Sequence, residues 1–408
     1  MTPRLRIAIV SKATAKGGGA GRVADDLAAG LRRRGHAVDR FAAWPGRGNG
    51  ARPLYRGLGQ ASGLAHRATR AAGLQEILPL EALGFPARDY DLVHLHDITW
   101  AASPFFVSFL ARRVPTLWTF HDCSPFTGGC IQPLGCERFR QACGQCPRQG
   151  HWPLVGRLDC TRLLRAAKAW VARQGGFTPL APSRWLAGEA VRSGLFPDPP
   201  RVAPNAVDTD IFAPRDRDAA RRELGLPVDR RIALVAAGNL GDPWKGLAQV
   251  REALARLGAD APLLAVAGRV DAAAADILRD VAHVPLGYLD EPARMALAHA
   301  AADVFLAASL AESFGLASAE ALACGTPVLG FGAGATPEVC ASGECGLLVP
   351  PGDTAALAAA LDQAFADDVL SRWAQAGRQR AEALFSLPVF LDRHEDLYQA
   401  ALAGGARP

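Results

Sequence analysis

The segment VFLAASLAESFGLASAE, residues 304–320, places a short apolar run directly before a glycine-containing turn and a helical pattern. Residues 304–308 form a run of the kind that makes a buried strand of a parallel sheet. Residues 317–323 have the pattern of a helix, and Gly315 between the two permits a close approach of the chain. The segment therefore predicts a strand, a turn and a helix, which is one repeating unit of an α/β domain.

The same alternation of apolar runs and helical patterns recurs along both halves of the chain. Further apolar runs that end in polar or proline-containing turns lie at residues 5–10, 92–95, 116–120, 177–181, 232–237, 263–267 and 328–331. Helical patterns, such as those at residues 247–257 and 291–301, separate the later runs. We therefore predict an α/β fold of two successive doubly wound, Rossmann-like domains, whose ligands bind beyond the carboxyl ends of the strands.

A proline-rich segment at residues 197–204 marks the predicted domain boundary, because proline interrupts the hydrogen bonding of a central strand. We predict an N-terminal domain over residues 1–200 and a C-terminal domain over residues 201–386. An apolar-periodic stretch within residues 387–408 predicts a last helix that crosses back toward the first domain. Residues 43–86, rich in glycine, alanine and arginine, predict helices and loops.

The composition limits the class of protein. The 408 residues are 50% hydrophobic and 21% charged, which excludes a fibre, a peptide or a disordered tail. Residues 1–200 contain 27 basic and 13 acidic side chains, and residues 201–408 contain 18 and 27, so the halves carry +14 and −9. A basic half favours an anionic partner such as a membrane surface, a nucleic acid or a phosphorylated substrate, the alternative being two domains that attract each other. Since nothing resembles a secretory signal or a bilayer-spanning run, we expect a cytoplasmic protein.

Two glycine-containing turns follow predicted strands. Gly17-Gly18-Gly19-Ala20-Gly21-Arg22 opens a predicted helix, whose free backbone amides attract an anion. Its spacing matches neither a P-loop nor a dinucleotide fingerprint, so a tight turn is an equal alternative. The second turn carries Glu312 and Glu320, at most ~12 Å apart if wholly helical, which could bind a sugar and a ribose. A helix with acidic residues near its start is the simpler alternative.

The order of these and further motifs resembles the retaining nucleotide-sugar glycosyltransferases of family 4, which have the two-domain GT-B fold. The resemblance extends over nearly the whole chain. It is carried by residues 17–22, Gly35-His36-Ala37-Val38, Asp91-Leu92-Val93-His94-Leu95-His96, Pro204-Asn205-Ala206-Val207-Asp208, Trp244-Lys245-Gly246, Gly287-Tyr288, residues 312–320 and Gly346-Leu347-Leu348-Val349-Pro350. It implies a hexosyltransferase whose two Rossmann-like domains face each other across a cleft.

The stretch Trp118-Thr119-Phe120-His121-Asp122-Cys123, with Cys130 downstream, resembles the branch of this family that builds bacterial exopolysaccharides such as colanic acid. That branch moves one hexose from a nucleotide-diphosphate sugar to a glycan or lipid-linked oligosaccharide at the inner face of the membrane. The resemblance implies no cofactor for catalysis. A peripheral enzyme could dock on anionic lipid through basic side chains, for which the candidates are Arg162, Arg165, Lys168 and Arg173, or Arg32, Arg33 and Arg34.

The resemblance also implies roles for individual residues. His121 and Glu312 would be the catalytic residues and would bind hydroxyls of the donor sugar, while Glu320 would bind the ribose diol. Lys245 would neutralise the diphosphate as it leaves. No second carboxylate matches a position facing the anomeric carbon, as a double displacement would require. The resemblance instead implies front-face displacement, in which the departing diphosphate accepts the proton of the acceptor.

The remaining implied residues contact the donor. Asn239 stands where the family often has an arginine, so a neighbour such as Arg269 would supply the second cation. Gly287 and Tyr288 fall in the loop that would enclose the nucleobase. The other implied donor-binding residues are Gly18, Gly19, Ser313, Phe314, Gly315 and Leu316.

Five of the nine cysteines, Cys123, Cys130, Cys136, Cys143 and Cys146, fall within 24 residues. The pair Cys143 and Cys146 has the spacing that opens a tetrahedral thiolate site, and Cys130 and Cys136 would complete four ligands. We predict a structural zinc ion here, with buried inert thiols as the alternative. Disulfides are disfavoured because we expect a reducing compartment.

Other classes of protein share parts of this pattern. A nucleotide-sugar epimerase or a phosphorylase has the same architecture, but the motif at residues 312–320 favours transfer from a nucleotide sugar. A zinc-bearing nucleic-acid-binding protein would also combine basic residues with clustered cysteines. Because the basic half has no basic-aromatic strand pattern, we expect no nucleic-acid partner.

Overall fold

The computed structural model describes residues 3–14, 18–45, 50–55, 59–75, 77–366 and 369–404. The chain divides into two compact units. The N-terminal unit comprises Met1–Ala203 and Leu391–Pro408, and the C-terminal unit comprises Pro204–Phe390. The division thus falls after Ala203, whereas the boundary predicted from the sequence is at residue 200.

The N-terminal unit is built on a seven-stranded sheet. Its strands are β1 (Arg6–Ala13), β2 (Ala37–Trp44), β3 (Arg52–Pro53), β4 (Leu92–Leu95), β5 (Thr116–Thr119), β6 (Phe177–Ala181) and β7 (Arg201–Val202). Its helices are α1 (Gly19–Arg33), α2 (Gly59–Ala71), α3 (Pro104–Ala111), α4 (Thr161–Gln174) and α5 (Arg184–Arg192). The order β3-β2-β1-β4-β5-β6-β7 is parallel throughout and reverses between β1 and β4, where a doubly wound sheet opens a ligand crevice.

Burial on both faces explains why these strands are continuous apolar runs. Ile7 and Ile9 of β1 are fully buried, and β4 is buried along its whole length. In α1, Val23, Leu27 and Leu31 recur every four residues and are buried, which seats one face of the helix on the sheet. The core therefore lies on both sides of the central strands, and the polar residues that follow them lie at the sheet edge.

The C-terminal unit is built on a six-stranded parallel sheet. Its strands are β8 (Ile232–Asn239), β9 (Leu263–Arg269), β10 (His283–Gly287), β11 (Val304–Ala307), β12 (Val328–Phe331) and β13 (Gly346–Val349). Its helices are α6 (Arg217–Leu224), α7 (Leu247–Leu257), α8 (Ala272–Leu278), α9 (Pro292–Ala301), α10 (Leu316–Ala323), α11 (Thr336–Val339), α12 (Thr354–Ala366) and α13 (Leu370–Phe385). The order β10-β9-β8-β11-β12-β13 reverses between β8 and β11.

Two edge strands correct the sequence prediction. The predicted linker at residues 197–204 contains β7, in which Arg201 pairs with Leu180 of β6, because an edge strand tolerates neighbouring prolines. Strand β3 lies within the stretch predicted as helices and loops, and it pairs with β2 through Arg52 and Phe41. Both strands have two residues and are exposed, so neither leaves an apolar run in the sequence.

The last helix, α14 (Leu387–Gly404), begins in the C-terminal unit and joins the N-terminal unit from Leu391 onward. Arg34 forms ion pairs with Asp392 and Glu395, at 2.6 and 2.7 Å. Tyr398 is fully buried, and its hydroxyl lies 2.8 Å from Nδ1 of His94. These contacts fix residues 391–404 in the N-terminal unit. Among the described helices, none combines the length and the apolar character that crossing a membrane requires.

Candidate active site

The first candidate site is a cleft of about 470 Å³ at the carboxyl edge of the C-terminal sheet. Its walls come from the ends of β8 and β11, the two strands at which the order reverses, and from the start of α10. The polar side chains that line it are Lys245, Ser309, Glu312, Ser318 and Thr336. The cleft therefore lies where the strand topology of a doubly wound sheet predicts a ligand site.

An ion pair between Lys245 and Glu312 dominates this cleft. Lys245 Nζ donates to Glu312 Oε1 at 2.9 Å, and the two side chains are 25% and 26% exposed. Gly246 follows with a φ of +75°, and a Cβ atom there would lie 1.9 Å from the carbonyl oxygen of Ala308. Only glycine therefore lets the lysine-bearing turn approach the end of β11. An ammonium has three N–H groups and a carboxylate two acceptor oxygens, so both can bind further partners.

The start of α10 adds backbone donors to the same cleft. Gly315 is the residue before the helix and has a left-handed φ of +93°. The first amides of a helix have no intrahelical partner and carry a partial positive charge, which favours an anion. Ser313 and Phe314 are buried beneath this turn, and the Phe314 ring packs on Phe385 with centroids 5.5 Å apart. These two predicted donor-binding side chains therefore support the turn rather than present themselves to a ligand.

Glu320 is less exposed than Glu312. Its side chain is buried within α10, and Oε2 is 3.8 Å from Nε2 of His299 on α9. Glu312 precedes the helix in an open turn, whereas Glu320 is on the helix face that packs against the core. Binding of a ribose diol by Glu320 stays a prediction, and spacing along the sequence did not specify which face of α10 is covered.

Other predicted donor-binding residues meet at the ends of neighbouring strands. Asn239, Arg269 and Gly287 terminate β8, β9 and β10. Asn239 Nδ2 donates to an oxygen of Asp271 at 3.1 Å, a partner that the sequence did not indicate. The Arg269 guanidinium lies over the ring of Tyr288, with Cζ 4.8 Å from the ring centroid. The stacked pair is partly exposed and offers a flat, cationic surface suited to a planar base.

The second candidate site lies at the carboxyl edge of the N-terminal sheet. Lys12 is near the end of β1, His96 follows β4 and His121 follows β5, so the parallel order β1-β4-β5 brings them together. His96 Nδ1 and His121 Nε2 are 2.9 Å apart, and their rings stack with centroids separated by 5.2 Å. Lys12 Nζ donates to Asp97 Oδ2 at 2.6 Å. Of these residues, only His121 has a role predicted from the sequence, because the others are far from it along the chain.

Burial decides the charge of this second site. Burial lowers the pKa of His121 to about 4. The negative charge of Asp97 raises this pKa and the positive charge of Lys12 lowers it, but burial is the largest effect. His121 is therefore an uncharged hydrogen-bonding group at neutral pH. Burial and the Asp97 carboxylate raise the pKa of Asp122 to about 6, although Asp122 Oδ1 accepts a hydrogen bond from the Ser124 N–H at 2.7 Å. A buried carboxylate beside His121 was not assigned from the sequence.

The glycine-rich turn after β1 is described from Gly18 onward, and Gly17 lies outside the described residues. Gly18 has a φ of +116° and precedes α1, which starts at Gly19. A Cβ atom at Gly21 would lie 2.3 Å from the carbonyl oxygen of Thr14. Packing of α1 on the end of β1 therefore accounts for Gly21, and anion binding at Gly18 and Gly19 stays a prediction.

The four cysteines of the predicted zinc site, Cys130, Cys136, Cys143 and Cys146, line one small cavity of about 370 Å³. All nine cysteines are free thiols, and burial raises the pKa values of Cys130, Cys143 and Cys146. Cys130 Sγ donates to the carbonyl oxygen of Gln132 at 2.9 Å. Across the part of the chain that the structure describes, no group of three or more His, Cys, Asp or Glu side chains is arranged to hold a metal ion. The structural zinc ion and its alternative of buried inert thiols both stay predictions.

Some of the basic side chains predicted to contact anionic lipid bond to other groups of the N-terminal unit. Arg165 and Lys168 each donate to two backbone carbonyl oxygens of that unit, at distances of 2.5–3.1 Å. Arg34 is paired with two carboxylates of α14. Arg162 and Arg173 are exposed. Arg165 and Lys168 are therefore used within their own unit, and lipid contact by the exposed cations stays a prediction.

Comparison with known proteins gives two family models and several relatives. Residues 17–211 match "Glycosyltransferase Family 4", and residues 231–367 match "Glycosyl transferases group 1". The MMP alpha-(1->4)-mannosyltransferase of Mycolicibacterium hassiacum is 32% identical over 219 residues, which cover 51% of this chain and 50% of that protein. The D-inositol 3-phosphate glycosyltransferase of Stackebrandtia nassauensis is 37% identical over 188 residues, 42% of each chain. The chain thus spans about half the length of the curated relatives it matches.

Solved structures resemble the chain over almost its whole length. Sucrose-phosphate synthase from Thermosynechococcus elongatus has a TM-score of 0.72 and 22% identity, with 98% of this chain and 100% of that chain covered. Anabaena HepE in complex with UDP-glucose has a TM-score of 0.69 and 18% identity, with 97% and 100% covered. Identities this low show the fold alone, which is two Rossmann-like domains of the GT-B type. The chain therefore has the GT-B fold and is similar to glycosyltransferases, with one glycosyltransferase family model matching residues 17–211 and a second matching residues 231–367.

Proposed function

We propose that the chain is a retaining hexosyltransferase that moves a hexose from a nucleotide-diphosphate sugar to a saccharide acceptor. The observation that carries the proposal is the Lys245–Glu312 pair in the cleft where the C-terminal strand order reverses. A diphosphate sugar needs a cation for the phosphates and acceptors for the sugar hydroxyls. Lys245 with the amides at Gly315 supplies the first, and Glu312 supplies the second.

The lining of the cleft also bears on the mechanism. In the described part of the chain, Glu312 is the only carboxylate that lines it. A covalent intermediate would need a carboxylate nucleophile about 5 Å from a carboxylic acid. We therefore favour front-face displacement, in which the acceptor oxygen bonds to the anomeric carbon as the bond to the diphosphate breaks. A diphosphate oxygen takes the acceptor proton, and Lys245 stabilises the charge that develops on the leaving group.

Further residues would orient the donor. We propose that His121, uncharged near neutral pH, hydrogen-bonds a sugar hydroxyl. The exposed surface of Arg269 and Tyr288 would pack against the nucleobase. The structural relative HepE is described with bound UDP and UDP-glucose, which makes UDP-hexoses the first donors to examine.

For the acceptor, we propose a glycan or lipid-linked oligosaccharide of surface polysaccharide synthesis, used in the cytoplasm. The resemblance of residues 118–130 to the exopolysaccharide branch supports this. Arg162 and Arg173, exposed on α4, provide basic surface for anionic lipid at the membrane. Binding to vesicles that does not depend on anionic lipid content would contradict the membrane part of the proposal.

The test is a thermal-shift screen with UDP-, GDP- and ADP-hexoses, followed by transfer assays. A bound donor stabilises the folded state according to its occupancy, so one nucleotide series should raise the melting temperature. The Lys245→Met variant should lose that shift, whereas Arg279→Met, at an exposed position of the same unit, should keep it. Incubation with donor alone should yield no isomerised sugar, which would otherwise indicate an epimerase. Absence of any shift and any transfer would refute the proposal.

A further inference from the structure

The ring of His121 is oriented by a neighbouring histidine. In the described part of the chain, its only side-chain hydrogen bond joins Nε2 to Nδ1 of His96, at 2.9 Å. The His96 side chain is fully buried, and its backbone N–H donates to the carbonyl oxygen of Val10 at 2.8 Å. Its ring lies between those of His94 and His121, at centroid distances of 4.3 and 5.2 Å. His96 is therefore held rigidly, and it holds one edge of His121.

A second layer of contacts braces His96 from the other side. His94 is fully buried, with Nδ1 2.8 Å from the Tyr398 hydroxyl and Nε2 2.7 Å from Thr119 Oγ1. Tyr398 belongs to α14, so the last helix of the chain supports the histidine stack. Both nitrogens of His94 thus have partners, and its packing against His96 leaves that ring little freedom to rotate.

The unpaired nitrogen of His96 indicates which way the hydrogen bond runs. Burial lowers the pKa values of both His96 and His121, so at neutral pH each ring carries a single N–H. Nε2 of His96 is buried without a partner among the described residues. If His121 Nε2–H donated to His96 Nδ1, the proton of His96 would be on Nε2, as a buried N–H without a partner. If His96 Nδ1–H donates to His121 Nε2, Nε2 of His96 carries only a lone pair. Unpaired buried N–H groups are the rarer and more costly case.

We propose that His96 is a positioning residue that holds His121 in the tautomer with its proton on Nδ1. Since Nε2 of His121 is taken by His96, Nδ1–H is the group that this partly exposed ring offers to a substrate oxygen. The wrong tautomer would offer a bare nitrogen, which can accept a hydrogen bond but cannot donate one. The inference rests on the proposed function of His121 as a contact to the donor sugar.

The tautomer can be read directly in the full-length protein labelled with ¹⁵N-histidine. Long-range ¹H–¹⁵N spectra distinguish a protonated Nδ1 from a protonated Nε2, and His121→Asn assigns the signals. We expect His121 in the wild type to carry its proton on Nδ1. In His96→Phe, which keeps a ring of similar size but has no donor, we expect the proton on Nε2 or a mixture. A wild-type His121 protonated on Nε2 would overturn the proposal without any variant.

Kinetics test the consequence. We expect His96→Phe to lower kcat about 10–100-fold with the KM for the donor nearly unchanged, since a wrong tautomer weakens an interaction made in the transition state. His96→Asn places an amide N–H near the position of Nδ1 and should recover part of both kcat and the Nδ1–H signal. An unchanged tautomer and unchanged kcat in His96→Phe would refute the positioning role. If the wild type transfers no sugar from any donor while His121 keeps its Nδ1 proton, the proposed function fails and only the tautomer assignment stands.

Discussion

The two Rossmann-like units place different chemistry at equivalent edges of their sheets. In the N-terminal unit, the strand ends carry buried histidines whose pKa values are lowered by burial, so His94, His96 and His121 are uncharged at neutral pH. In the C-terminal unit, the strand ends carry Lys245 and Glu312, which are paired but partly exposed. The comparison shows that the same strand topology can present either uncharged hydrogen-bonding side chains or charged side chains. Which of the two it presents depends on how deeply the strand ends are buried.

Net charge and local charge also diverge between the units. The first 200 residues carry +14, yet the proposed diphosphate site lies in the half that carries −9. Arg165 and Lys168, two of the basic side chains of the first half, are directed to backbone carbonyl oxygens of their own unit. A single ammonium beside a helix start can bind an anion in a domain of negative net charge. The repulsion between that anion and distant acidic side chains weakens with distance and is screened by salt.

The largest expected effect tests the charged edge. Glu312→Gln keeps the shape of the side chain but removes the charge that pairs with Lys245 and accepts from the sugar. We expect kcat to fall about 10²–10³-fold, the range seen when one oriented electrostatic contact to a transition state is lost. Steady-state kinetics with a saturating acceptor measure it. Glu344→Gln, at an exposed loop position, is the matched control and should retain activity. Near-normal turnover of Glu312→Gln would remove the cleft from the mechanism.

A second prediction concerns the turn that positions Lys245. Gly246→Ala places a methyl group 1.9 Å from the Ala308 oxygen at a φ of +75°, so we expect a loss of about 2–3 kcal/mol in unfolding free energy. Gly225→Ala has a similar φ of +68° but open space around the Cβ atom, and it should cost about 1 kcal/mol. Urea unfolding of both variants compares them. Equal losses would show that the close approach to β11 is not a constraint.

The third prediction tests the neutral edge through acid stability. His121 has a folded pKa of about 4, below the usual value of 6.5, so its contribution is present above pH 6.5 and is lost as the pH falls toward 4. His94 and His96 act in the same direction. Asp122, whose pKa is raised to about 6, opposes them between pH 6 and 4, because its folded form binds the proton more tightly.

We therefore expect the N-terminal unit to lose stability on acidification from pH 7 to 5. His121→Asn should reduce that loss by at most about 1.4 kcal/mol per pH unit, the value for one proton. Urea unfolding at several pH values, followed by fluorescence, measures the slope. A variant with the same slope as the wild type would show that His121 titrates normally.

The smallest expected effect concerns the surface for the nucleobase. Tyr288→Leu removes the ring over which the Arg269 guanidinium lies. Exposed cation–π contacts contribute about 0.5–1 kcal/mol, so the KM for the donor should rise only about two- to fivefold with kcat maintained. Kinetics with varied donor concentration measure the split. A large fall in kcat with an unchanged KM would place Tyr288 at the reacting centre instead.

Prediction from sequence succeeded where apolar residues form a continuous run or a helical repeat. Residues 92–95, 177–181, 328–331 and 247–257 were predicted as elements with the bounds that the structure has. Strand β10 was missed because none of its residues is fully buried and they form no continuous apolar run. Strand β13 was missed for a related reason, since it is only partly buried beyond Gly346.

The candidate site was predicted in part. Lys245 and Glu312, 67 residues apart, were both singled out from their motifs, and the structure joins them in one cleft. Glu320 and the four cysteines were singled out in the same way, and their roles stay predictions; α10 buries Glu320, a detail that the motif did not indicate. A motif specifies residue type and order, whereas side-chain direction depends on what covers each face of the element.

The sequence by itself determined the α/β class, the two-unit division and the strand ends at which polar residues gather, because buried parallel strands are continuous apolar runs. The tertiary structure alone decided the pairing of His96 with His121, the pairing of Lys12 with Asp97 and the internal use of Arg165. The physical reason is that hydrogen bonding and pKa values depend on desolvation and on neighbours brought close by packing. Neither quantity is encoded in the local order of residues.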